Sequence, residues 1–343
     1  MIRSAFDRAQ LVAPLAIDQG ESSWFCFEGS GRGAHGMRRL AGLVWIHRTG
    51  PRASQLQLGP KLVPHTALPA RWRDLVPAWF PIISPVDLGF DDRPLFLIVL
   101  YDLDAPEARP VQIECAVDEF DPETFSARAG ELELRDFQVR ARCEAFELEL
   151  AFADGKPMVA FTVVHDRIEV GYAQRPRIAV TGTIELAGER ITDFVATGAH
   201  DRHWRESTVL GLRWLWLHAR LAGDRELVAY VLEDAVGRNA WLVEPTGAVR
   251  AVAEFSLYAT AHADTPRGRI PTRFCLDVAE LDLALVFEHA VALPFIAMRA
   301  FGELADLGIY EAPIRVVSGT GCEGGWLEAF TDPGSAACSD RSR

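Results

Sequence analysis

The amino-acid sequence predicts an all-β protein organised as two antiparallel β domains. Three observations carry this expectation. Apolar segments of strand length, rich in β-branched and aromatic residues, recur along the chain, as in PLFLIVLYDLD and VQIECAVDEF. Period-two alternation runs through GELELRDFQVRARCEAFELELAFADG, most clearly in ELELR and FELEL. Turn chemistry (ADGKP, LAGER, LAGDR, EPTG) separates the segments, while helical periodicity is scarce.

Further strand segments follow in order: RIAVTGTIEL, LRWLWLHARLA, ELVAYVLED, AWLVEP, VRAVAEFSLYA, TRFCLDVAELDLALVF and IRVVSG. Together they exceed the roughly eight strands of a small barrel, so two β domains, sandwiches or barrels, are the economical reading. The boundary is expected near His165 to Pro176, where a Pro-containing stretch separates two strand series. That gives an N-terminal domain over 1–170, a C-terminal domain over 171–333 and a disordered tail over 334–343. Two short helices are candidates, in ARWRDLVPAWF, interrupted by Pro77, and in FIAMRAFGELADLG.

The chain has 343 residues, 49% of them hydrophobic and 24% charged, which is ordinary for a globular protein. A net charge of −13 argues against nucleic-acid partners and against an anionic membrane surface. The six cysteines form no C-x-x-C pair, so they suggest buried reduced thiols instead of a zinc or redox site. The stretch LVAPLAI is too short and too proline-broken for a secretory core, and no run reaches the roughly 18 apolar residues of a membrane span. A cytoplasmic location is expected.

Several motifs are tested and set aside. Gly31, Gly33 and Gly36 form one G-x-G-x-x-G match, and Gly319, Gly321 and Gly324 form another. Each precedes a strand instead of opening a helix, so both read as hairpin glycines and not as a dinucleotide cradle. No G-x-S-x-G elbow and no P-loop occurs. In GAHDRHWRE, His200 and His203 are spaced H-x-x-H, but on a strand residues three apart face opposite sides and do not share a metal.

The segment RPRIAVTGTIEL, followed by VATGAHDRHWRES and GLRWLWLHARLAGDRELVAYVL, resembles the AttH/carotenoid 1,2-hydratase-like superfamily. The matching positions are Gly198, the Asp201-x-x-Trp204 element, Trp214 with Trp216, Gly223 and Tyr230. ESSWFCFEG resembles the opening strand of that family. YEAPIRVVSGTGCEGGWLEAF resembles its closing pair, through Tyr310, Glu311, Gly319, Gly325, Trp326 and Glu328. The resemblance spans nearly the whole chain. It implies two lipocalin-like β-barrel domains packed side by side and no organic cofactor or metal. The activities it implies are hydration of carotenoid ends, terpenoid cyclisation or Diels–Alder-type closure of polyenes.

Chemistry of that kind needs a dry site, an acid or hydrogen-bond donor, and aromatic faces for developing positive charge. On LRWLWLHAR, Trp214, Trp216 and His218 share one face, as either a pocket wall or barrel core. Asp201 is a proton donor if burial raises its pKa, but Arg202 and Arg205 are placed to pair with it and keep it ionised, which suits a structural pin. Trp204 reads as an anchor between the domains. Tyr230 is a candidate on the next strand. Two residues beyond it the family pattern, as the resemblance implies it, has an aspartate, and this chain has Leu232. Trp24, Tyr101, Glu28 and His35 are weaker candidates.

Two functions compete. One is a cofactor-independent cyclase, pericyclase or hydratase acting on a hydrophobic polyene or terpenoid, with Asp201, His218 and Tyr230 as catalytic candidates. Trp24, Tyr101, Trp204, Trp214 and Trp216 would then bind the substrate. The other is a carrier that holds a lipid or isoprenoid in an apolar cavity. Ionisable groups converging on the site distinguish the enzyme from the carrier.

Overall fold

The computed structural model describes residues 21–48, 95–121, 126–153, 159–165, 168–204, 214–232, 238–265, 268–294 and 308–331. The first helix candidate and the expected tail lie outside these residues, as does the second apart from Gly308, which opens a strand. The described chain is almost entirely strand, in two curled antiparallel half-barrels. Its one helical element is a 3-10 turn at Ala279–Leu281.

The first sheet contains β1 (Glu21–Gly33), β2 (Gly36–Arg48), β3 (Leu95–Asp102), β4 (Val111–Ala116), β5 (Glu119–Asp121) and β6 (Ser126–Ala129). It continues with β7 (Leu132–Arg135), β8 (Gln138–Arg142), β9 (Phe146–Phe152), β10 (Val159–His165), β11 (Ile168–Leu186) and β12 (Glu189–Trp204). Its order is β4-β3-β2-β1-β12-β11-β9-β8-β7-β6-β5, with β10 added on β11.

The second sheet is formed by β13 (Trp214–Leu221), β14 (Arg225–Leu232), β15 (Arg238–Val243), β16 (Val249–Ala251), β17 (Ser256–Thr265) and β18 (Gly268–Val278). It is completed by β19 (Leu283–His289), β20 (Gly308–Ser318) and β21 (Cys322–Thr331), in the order β16-β15-β14-β13-β21-β20-β19-β18-β17.

The chain changes sheets between Trp204 and Trp214, not near residue 170, which lies inside β11. Pro176 does not end that strand. It sits at a register shift where Pro176 pairs with Ala199 and Ile178 with Gly198, leaving Arg177 unpaired with φ 52°. A bulge tolerates a residue without an N–H, so the strand runs on through the proline. The glycine-rich matches fall at the β1–β2 and β20–β21 hairpins, as their flanking strands imply.

Alternation along the strands sorts side chains into three buried layers. Phe25 and Phe27 of β1 join Leu148, Leu150 and Ile184 inside the first half-barrel. Leu215, Leu217 and Ala219 of β13 join Phe274, Leu285 and Leu327 inside the second. The alternate residues of the same strands, among them Trp24, Cys26 and Trp216, form a third layer with Leu43, Trp45, Tyr101, Tyr172, Tyr230 and Trp326. This third layer draws from both sheets and is the seam between them.

Candidate functional site

The seam is built from two rows of side chains. On the first sheet, cross-strand register places Val159, Gln174, Asp201, Trp24, Trp45 and Leu97 side by side from β10 to β3. On the second sheet, Tyr230, Trp216, Glu328 and Glu311 are aligned from β14 to β20. Directly paired residues project from the same face, so each row presents its side chains to the other sheet.

The rows meet through Tyr172. The Trp216 indole N–H donates to the Tyr172 hydroxyl, and that hydroxyl donates to Asp201 Oδ2 at 3.1 Å. The direction is determined because an indole has only a donor to offer. Nearby, the Trp214 indole N–H donates to Glu328 Oε1, and the Tyr101 hydroxyl donates to the Glu311 carbonyl at 2.7 Å.

Three carboxyl groups therefore share one desolvated layer: Asp201, Glu311 and Glu328, all at most 3% exposed. Burial pushes Asp201 well above the usual carboxylate range. Hydrogen bonds from Tyr172 and Trp24 oppose that rise, and the charge of Glu328 adds to it. Glu311 is raised for the same leading reason, with Glu328 and Asp201 adding to it. Burial also raises the Cys26 thiol and the Tyr172 phenol. Ionising all three acids together would set like charges against one another in a low dielectric, so protons are retained within the cluster.

For Arg202 this corrects the expectation that arginines hold Asp201 ionised. His200 and Arg202 flank Asp201 in sequence but leave β12 on the opposite face. There His200 stacks on Phe25 with ring centroids 4.1 Å apart and its Nε2 lies 2.8 Å from the Ser23 hydroxyl. Burial, with Arg175 and Arg202 nearby, lowers His200 to about 3, so it is neutral. Arg205 lies outside the described residues. Nor is Asp201 on a pocket rim: it is fully buried, in the middle of the seam.

His218 lies one pair further along the second sheet, opposite Trp326 and Val228. Its Nε2 is 2.8 Å from Glu226 Oε2, and Glu226 also receives Arg177 from the first sheet. Burial alone would raise Glu226. The hydrogen bonds and charges of His218 and Arg177 outweigh it and hold the carboxyl below its ordinary value. A carboxylate there makes His218 Nε2 the donor. Arg177 also pairs with Asp224, and Arg220 bonds Glu28 at 2.7 Å, so polar staples tie the two sheets at this end of the seam.

Trp24, Tyr101, Trp216 and Tyr230 thus lie in the seam, with Trp214 partly buried against it. His218 belongs to the staple end. Trp204 ends β12 with its side chain outside the described residues, and His35 is in the β1–β2 turn, away from the seam. Tyr172, Gln174 and Glu226 carry interactions or positions that the sequence reading did not single out. Tyr172 and Gln174 lie in VGYAQRP, where Pro176 suggested a linker. The signal for them was the alternation of Tyr172 and Gln174 leading into an established strand. Among the described residues no cluster of His, Cys, Asp and Glu is arranged to hold a metal ion. No helix among them is long and apolar enough to cross a membrane.

No protein-family model and no curated protein matches the chain. Solved structures do. A candidate AttH protein from Nitrosomonas europaea superposes with a TM-score of 0.63 at 15% identity, covering 90% of this chain and 92% of that one. Kievitone hydratase from Nectria haematococca superposes with a TM-score of 0.62 at 11% identity, covering 96% and 93%. CghA with Sch210972 gives a TM-score of 0.47 at 12% identity, covering 92% and 89%. Identities this low speak to architecture alone, and for the first two structures the coverage is nearly complete on both sides. The chain shares the fold of the AttH protein and of kievitone hydratase.

Proposed function

We propose that this protein is a cofactor-independent enzyme of the hydratase or cyclase type that acts on a hydrophobic, unsaturated substrate within the seam. The observation that carries this reading is the cluster of buried carboxyl groups, Asp201, Glu311 and Glu328, set among indole and phenol rings. A carrier needs only an apolar cavity, and desolvating three acids in its wall would cost stability without serving binding.

In the proposed mechanism Asp201 is the acid. Its Oδ2 is occupied by the Tyr172 hydroxyl, which leaves Oδ1 to carry and deliver the proton. Transfer to an alkene carbon breaks the O–H bond and leaves a carbocation and the Asp201 carboxylate. Trp24, Trp214, Trp216 and Tyr230 offer π faces to the cation. Capture by water followed by loss of a proton gives an alcohol. Capture by a second alkene and loss of a proton gives a ring. In both cases the proton returns to the carboxylate cluster and no redox partner is consumed. The same acid, hydrogen-bonded to a carbonyl, would lower the barrier of a pericyclic closure. The fold shared with a hydratase supports the hydration branch. The setting we infer is a cytoplasmic secondary-metabolite pathway.

The test is turnover of prenylated phenols, terpenoids and linear polyenes by the purified protein, followed by mass spectrometry for water addition or isobaric rearrangement. Asp201→Asn should fold and melt like wild type yet lose 10²–10⁴-fold in turnover, the usual contribution of a general acid. Full turnover by the Asn variant would refute Asp201 as the acid. Ligand binding with no conversion by wild type would support the carrier.

A further inference from the structure

Gln174 takes no part in the proton chain, yet its placement is as specific as that of Asp201. Register sets it on β11 directly opposite Asp201, in the row that also holds Val159, Trp24 and Trp45. It is 0% exposed, and neither its Oε1 nor its Nε2 has a hydrogen-bond partner among the described residues. Oε1 of Glu311, on the facing sheet, is likewise buried with no partner among the described residues. Folded proteins pair nearly all of their buried amides. An amide left with both ends unmet, beside an acid of raised pKa, marks a position that something else completes.

The chemistry of that missing partner can be read from the amide. Gln174 offers an acceptor and a donor on one planar group. A hydrocarbon satisfies neither, and a carbonyl satisfies only the N–H. A hydroxyl both donates and accepts. Apolar Val159 and aromatic Trp24 and Trp45 occupy the same row, so the rest of the partner must be hydrophobic. We propose that Gln174 is a specificity-determining residue that reads a hydroxyl group on an otherwise hydrophobic, unsaturated substrate. The assignment rests on the seam being the substrate site and narrows the substrate class from polyene hydrocarbons to unsaturated alcohols and phenols.

Farnesol and farnesene test this directly, since they share a carbon skeleton and farnesene carries a fourth double bond where farnesol has its hydroxyl. Trp24, Trp45, Trp214, Trp216 and Trp326 line the seam, so quenching of tryptophan fluorescence reports occupancy. Wild type should bind farnesol about tenfold or more tightly than farnesene. Gln174→Met, similar in length and apolar, should lose that preference by weakening farnesol alone. Ligand-free Gln174→Met should melt at a higher temperature than wild type, because the unmet amide is gone. Equal binding of the two probes by wild type, or an undiminished preference in Gln174→Met, overturns the role of Gln174 and leaves the seam as substrate site. A lowered melting temperature or loss of folded Gln174→Met overturns it too, because the amide would then hold the fold through trapped water. If wild type binds neither probe, the seam fails as the substrate site and the assignment falls with it.

Discussion

The side chains next to Asp201 in sequence, His200 and Arg202, leave β12 on the face away from it, so the groups that set its acidity come from elsewhere. Tyr172 arrives from β11, Trp24 from β1, and Glu328 from the other sheet. The sequence placed Asp201, Trp24, Trp214, Trp216 and Tyr230 among the candidates because their residue types and strand positions are local facts. The partners of Asp201 are not legible locally, because a strand sends Arg202, its neighbour in sequence, to the opposite face. Tyr172 is the residue whose removal tests this arrangement. Tyr172→Phe deprives Asp201 Oδ2 of a donor and leaves the Trp216 indole N–H without its acceptor. Stability should fall by roughly 1–3 kcal/mol, the cost of orphaning buried polar groups. The Asp201 pKa should rise further, since the lost hydrogen bond favoured the charged form. Carbon-13 NMR titration of the carboxyl groups and urea unfolding check both. An Asp201 titration displaced to lower pH would contradict the arrangement.

Strands fall into two kinds, and the difference is visible in the residues. β8 and β9, QVRAR and FELELAF, alternate cleanly because one face is in the first core and the other in solvent. β3 and β13, LFLIVLYD and WLWLHARL, are apolar almost without interruption because both faces are covered. Continuous apolar runs in an antiparallel sheet therefore identify the strands at the seam. Element boundaries were less legible: the proline in β11 resembled a linker, whereas a bulge absorbs it. Strand contact also explains Gly198. At Gly198, where β12 passes β1, an added Cβ would lie 1.9 Å from the Cys26 carbonyl oxygen. Gly198→Ala should push the two strands apart and destabilise the protein by roughly 1–3 kcal/mol, as overpacking does. Chemical denaturation measures this, and an unchanged midpoint would show that the strands separate freely.

At the scale of the molecule, the buried acids couple the joining of the two sheets to pH. Asp201 and Glu311 have folded-state pKa values above those of the unfolded chain. Below the ordinary carboxylate range both states hold these protons and no penalty exists. As pH rises through that range the unfolded chain releases them while the folded protein retains them, so stability falls until the raised folded values are reached. Glu226 acts in the opposite sense. Its depressed pKa supports the fold above the ordinary value of 4.5 and loses that support toward acid. Glu311→Gln should therefore be more stable than wild type near about pH 8 and gain nothing near about pH 3, where the wild-type acid is neutral in both states. Melting temperatures across that range check the sign, and a gain confined to acid would reverse it. The sequence by itself determined an all-β chain in two antiparallel units, the hairpin role of its glycine motifs and the placing of Trp214, Trp216 and His218 on one face of a strand. Each of these follows from residues within a few positions of one another. Only the tertiary structure decided that the sheets change between Trp204 and Trp214, and that Asp201, Glu311 and Glu328 share a desolvated layer with Tyr172 and Gln174. Those groups are far apart along the chain, and their acidity depends on burial and mutual distance, which packing of the two sheets alone creates.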